Sequence, residues 1–109
     1  MTRQSPRVLI VNKGMHDYSA VSEFAEEVVV MTSGPQSRVN VTHMIRTLDD
    51  YIEESSPLDW LVISGPTVLN CVACVLFERR HGRLNLLIHT SRDDRYIPRT
   101  IVFPAIGEE

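Results

Sequence analysis

Short apolar runs alternate with mixed segments along the chain, and the spacing inside each separates strand from helix. Residues 7–11 (RVLIV) are apolar and rich in β-branched side chains, which predicts a buried strand. Residues 12–18 (NKGMHDY) break it with turn chemistry. Over 19–27, Val21, Phe24 and Ala25 fall on one side of a short predicted helix, with Asp17 or Ser19 as its cap. A second strand is expected at 28–31 (VVVM), then a loop at 32–36 (TSGPQ). The clearest helical repeat follows. Val41, Met44, Ile45, Leu48 and Ile52 share one face, and Thr42, His43, Arg46, Asp49, Asp50 and Glu53 take the other. Asn40 suits the cap, and Pro57 ends the helix by forcing Ser56 out of helical geometry.

A third strand is predicted at 60–63 (WLVI), with a turn at 64–67 (SGPT). Residues 68–80 then read as a helix that is apolar nearly all round, which calls for burial on most sides. Gly82 stops it as a left-handed cap, and Arg79, Arg80 and His81 suit the negative end of its dipole. A fourth strand at 84–89, a polar turn at 91–95 and a fifth strand at 96–103 make an antiparallel hairpin. Pro98 places the fifth strand on a sheet edge. The order βαβαβαββ predicts an α/β domain of Rossmann-like or flavodoxin-like three-layer type. Four mostly parallel strands would be joined by a C-terminal antiparallel edge strand. One domain is expected over 1–109, with a flexible N-terminus at 1–6 and a tail at 104–109.

Composition narrows the function classes. The 109 residues are 43% hydrophobic with a net charge of −3. The first 60 residues carry a net −4 and the rest a net +1, so no polyanion track is expected. Six aromatics besides the one Trp are few for base stacking, so nucleic acid is not an expected partner. No run approaches the roughly 18 apolar residues of a membrane span. The polar start lacks a signal peptide's apolar core, so a cytosolic protein is expected. Cys71 and Cys74 match Cys-x-x-Cys, but they lie a turn inside an apolar helix and read as core thiols. Two cysteines are too few for a structural zinc site, and no metal or cofactor is expected. The dinucleotide and P-loop glycine patterns are absent.

Candidate chemistry gathers at the strand ends. The first three strands each run into a small, polar, glycine-containing loop: Asn12-Lys13-Gly14, Ser33-Gly34-Pro35 and Ser64-Gly65-Pro66. In open α/β sheets, ligands bind at this carboxyl edge where the strand order reverses. With a 2-1-3-4 order, Asn12 to Asp17 would face Ser64 to Thr67. Gly65 lets a ligand approach the backbone, and Thr67 opens a helix whose N-terminus favours anions. Asn70 lies one turn on, and Lys13, the only lysine, adds a point charge. The expected binding set is Asn12, Lys13, Gly14, His16, Asp17, Ser33, Gly34, Ser64, Gly65, Thr67 and Asn70. The same residues also serve as plain connection, since a glycine after a strand is often only a turn. His16 is a weak catalytic candidate with Asp17, Ser64 or Thr67, although neighbouring His and Asp side chains diverge. His43 reads as solvated, and His89 has no obvious partner.

Two segments, Lys13-Gly-Met-His-Asp-Tyr-Ser19 and His81-Gly-Arg-Leu-Asn-Leu-Leu-Ile88, resemble stretches of small uncharacterised phage-encoded proteins. The resemblance carries no activity, but it favours a phage accessory protein in the host cytoplasm over a metabolic enzyme. The leading expectation is a non-enzymatic binder of a small anionic, nucleotide-derived ligand at the carboxyl edge, one that sequesters a host signal. The alternative is a structural or assembly protein, homo-oligomeric through its apolar edge strand. A small hydrolase using His16 and a loop hydroxyl ranks third.

Overall fold

A computed structural model describes residues 5–104. Most of the expected terminal segments, 1–6 and 104–109, lie outside the described residues. The chain forms a five-stranded sheet in the order β2-β1-β3-β4-β5. The strands are β1 (Arg7–Ile10), β2 (Glu27–Val30), β3 (Trp60–Val62), β4 (Leu84–Thr90) and β5 (Arg95–Ile101). The first four are mutually parallel, and β5 runs antiparallel to β4. Leu9 sits at the centre of the parallel register, level with Val29 of β2 and Leu61 of β3.

Two α-helices, not three, connect the strands: α1 (Val41–Glu53) and α2 (Thr67–His81). The helix expected at 19–27 is a 3-10 segment of five residues, Ser19–Glu23. Its apolar side is as expected, with Val21 and Ala25 buried and Phe24 half-buried. Glu27 is taken by β2, where it pairs in register with Arg7 and forms an ion pair with its guanidinium. What remains is too short to offset the cost of nucleating an α-helix.

Strand order explains the layers. The connections β2 to β3 and β3 to β4 step across the sheet in one direction, and β1 to β2 steps in the other. Right-handed crossovers therefore put α1 and α2 on one face and the 3-10 segment on the opposite face. Leu9, Val11, Leu61 and Leu84 meet Met44, Leu48 and Ile52 of α1 and Leu69, Ala73 and Phe77 of α2. On the other face, Val8, Ile10, Val62, Leu87 and Tyr96 pack under Val21 and Ala25. Each Val, Leu, Ile, Met or Phe side chain buried this completely contributes about 1.5–3 kcal/mol by leaving water.

Three expectations change. Helix α2 is not buried on most sides: Val68, Cys71 and Val75 are exposed along one stripe, and Val75 is 56% accessible. Only Leu69, Asn70, Ala73 and Phe77 of this helix are fully inside. The sheet beneath the stripe ends in β5, with no further helix to cover it among the described residues. Val102 and Phe103 lie beyond β5 and are exposed, so they are not strand residues. His81 lies in the last turn of α2 with Arg79 and Arg80, as expected, but it is half-buried against Phe77, with ring centroids 4.5 Å apart, and burial disfavours the charge that would suit the dipole. Burial and then Arg80 lower its pKa, with Asp59 opposing them. Gly82 does end α2 in left-handed geometry, at φ 71°.

Candidate functional site

The carboxyl edge is held together by its own loops. The ladder between β1 and β2 continues past both strands, and Lys13 bridges to Ser33. The Lys13 N–H donates to Thr32 O, and the Gly34 N–H donates to Lys13 O. Asn12 is buried; Thr32 Oγ1 lies 2.7 Å from its Oδ1 and the same distance from Val11 O. Ser64 Oγ donates to Asn12 O at 2.7 Å and ties the β1 loop to the β3 loop. Asn70 is buried too, and its amide clasps the turn before α2. Its Oδ1 accepts from Ser64 N–H, and its Nδ2 donates to Ser64 O and Pro66 O. Asn12, Ser64 and Asn70 therefore shape the edge.

Between the ends of β1 and β3 lies a polar cleft of about 490 Å³, at the point where the strand order reverses. Asn12, Gly34, Gly65 and Thr67 line it, as the loop chemistry predicts, and so do Pro35, Gln36, Pro66 and Arg38. Gly65 adopts φ +86°, and a Cβ built there would lie 2.6 Å from Asn12 Cβ. Only glycine lets the β3 turn close onto β1 in this way. Helix α2 begins at this turn without a side-chain cap, whereas Asn40 caps α1 by accepting from the His43 N–H. The first N–H groups of α2 have no acceptor within the helix and carry its positive dipole end into the cleft. Arg38 is an exposed cation at the rim. It was missed because it sits mid-loop in a polar stretch, and no spacing rule connects it to Gly65.

The remaining expected residues lie elsewhere on the edge. Lys13, Gly14 and Ser33 are exposed and do not line the cleft. Asp17 accepts from the Ser19 N–H at 2.9 Å, which starts the 3-10 segment and holds its carboxyl below the usual range. His16 makes no hydrogen bond to Ser64 or Thr67 among the described residues, so no nucleophile–base pair forms. It stands instead 5.0 Å from Tyr18 and 4.4 Å from His89, ring to ring. Tyr18 steadies this loop, its hydroxyl accepting from Gly14 N–H and lying 3.4 Å from Asn12 O. His89 has a partner after all: its Nε2 lies 2.9 Å from Asp94 Oδ1. Beside it, at 5.2 Å, is Tyr96, 3% accessible, whose hydroxyl is buried without a hydrogen-bond partner. Burial first, then Tyr18, Asp94 and Asp17, push its pKa up to about 12.

The two cysteines are free thiols, Cys71 exposed and Cys74 half-buried with its pKa raised by burial and by Cys71. No helix among the described residues is long and apolar enough to cross a membrane. Over residues 6–103 the chain matches the model of a family described as phage Pam3 gp32-like protein. No curated protein and no solved structure matches it.

Proposed function

The chain belongs to the phage Pam3 gp32-like protein family, and on that premise we propose that it is a non-enzymatic binding protein for a small anionic ligand. The observation that carries this reading is the polar cleft into which the uncapped N-terminus of α2 opens, between Gly65 and Arg38. Backbone N–H groups and a helix dipole suit a phosphate or carboxylate, and a guanidinium adds paired donors. The order 2-1-3-4 of the parallel strands matches that part of flavodoxin-like sheets, which take phosphate-bearing ligands at this switch point, while β5 differs by running antiparallel. We read the domain as a reduced member of that class, with its first helix replaced by a 3-10 segment. The cleft holds no acid–base pair, which favours retention of a ligand over its conversion. In a phage setting the ligand class to try first is nucleotides, with a host signal withdrawn from the cytoplasm as the consequence.

Calorimetric titration with mono-, di- and cyclic nucleotides tests the reading. Binding by at least one class is expected, and Arg38→Ala or Thr67→Ala should weaken it about tenfold, the scale of one charge-assisted hydrogen bond. Failure of every nucleotide, or affinity indifferent to both substitutions, refutes it.

A second reading, self-association, has its own observation. Val75, Cys71, Cys74, Ile63 and Leu86 line an apolar groove of about 500 Å³ between α2 and β4. A second copy covering this groove would bury the stripe that α2 leaves exposed. The face is a better route than the β5 edge, because Pro98 lacks the N–H that strand pairing needs. Light scattering should give a discrete oligomer that Val75→Glu reduces to monomer. A monomer at all concentrations rules this reading out.

A further inference from the structure

We propose that His16, His89 and Asp94 form a binding site for one divalent transition-metal ion of the Zn2+ class. The three come from the loop after β1, the end of β4 and the turn before β5. One ligand atom from each lies within 4.8 Å of the other two. A tetrahedral ion with bonds of about 2.0–2.2 Å holds its ligands roughly 3.3–3.5 Å apart. His89 and Asp94 are already at 2.9 Å, so they part slightly, and His16 moves in by a rotamer-scale shift. Both outer members are exposed and free to make that adjustment.

The donor set selects the metal. Two imidazoles and one carboxylate suit Zn2+ and its neighbours, whereas Ca2+ and Mg2+ require mostly oxygen. Three protein ligands leave a fourth position to water, the pattern of an open site.

A second observation points to the same place. Tyr96 is 3% accessible, packs against His89, and buries its hydroxyl without a partner. Buried polar groups in native proteins are nearly always satisfied. A water completing the metal's shell would give that hydroxyl the partner it lacks. The site stands apart from the anion cleft and does not depend on it.

The test is titration of tag-free protein with Zn2+ alone, in a Cys71→Ser/Cys74→Ser background so that the thiols do not compete. One equivalent per chain is expected to bind. His16→Gln, His89→Gln and Asp94→Asn should each weaken binding by at least about tenfold, as loss of a ligand does. His43→Gln, on the exposed face of α1, should leave it unchanged. Co2+ absorption in the visible region reports the same site on unsubstituted ligands, so the result does not rest on how the variants fold. Absence of saturable Zn2+ uptake overturns the proposal. Uptake that survives His16→Gln overturns it too, and leaves an ordinary His89–Asp94 ion pair.

Discussion

Gly65 shows how much a single position decides. Its positive φ turns the chain from β3 into α2, and its missing Cβ admits the Asn12 side chain. Gly34 has a similar φ of +71°, but a Cβ there meets nothing within 4 Å. The two glycines separate conformational strain from steric closure. Gly34→Ala should cost only the left-handed penalty, about 1–2 kcal/mol. Gly65→Ala should cost more, since Asn12 must also move, and anion affinity should fall with it. Urea unfolding of the two variants measures the difference, and equal losses would mean that the Asn12 contact is loose. Glycine at this turn was legible in the chain. The reason for it was not, because Asn12 lies 53 residues away.

At the level of elements, the two helices are tied at their C-terminal ends. Ser55, just past α1, places its hydroxyl 2.7 Å from Nε2 of His81 at the end of α2. Burial disfavours the charged imidazole here, so the folded protein holds a lower pKa than the ordinary 6.5. The unfolded chain therefore binds more protons between the folded value and 6.5. Stability from this group is complete above about pH 6.5 and declines as pH falls through that window. His81→Gln should flatten that part of the pH–stability profile, measured by denaturant midpoint. An unchanged slope would show that His81 is protonated as readily in the fold as outside it. The pattern of α1 was readable because Met44, Leu48 and Ile52 repeat at helical spacing over a long stretch. The 19–27 segment was not, because β2 claims its C-terminal end, where Glu27 pairs with Arg7, a contact that no local propensity encodes.

Across the whole molecule, the two faces of the sheet are unequally covered. Two helices protect one face, a five-residue 3-10 segment protects part of the other, and the β4–β5 end leaves apolar side chains exposed. Ile88 and Ile101 are 44% and 37% accessible there. The polar cleft and the apolar groove meet at the start of α2, where Gly65 and Thr67 border both. Val75 lies eight residues further along, about 12 Å down the helix. At that separation substitutions act independently. Val75→Glu should thus dissociate an oligomer without changing nucleotide affinity, and loss of both together would tie the cleft to the assembly.

The apolar runs and turn residues determined by themselves that this is a mixed α/β chain with five strands, and that its glycine loops follow the first three. Both follow from local rules: β-branched runs favour strands, and glycine tolerates the backbone of tight turns. Tertiary structure alone decided that Arg38 joins the cleft and that α2 leaves an apolar stripe exposed. It also brought His16 to His89 and Asp94 across more than 70 residues of chain. Such juxtapositions depend on strand order and crossover direction, which are set by the packing of the whole core and leave no spacing signal in any one segment.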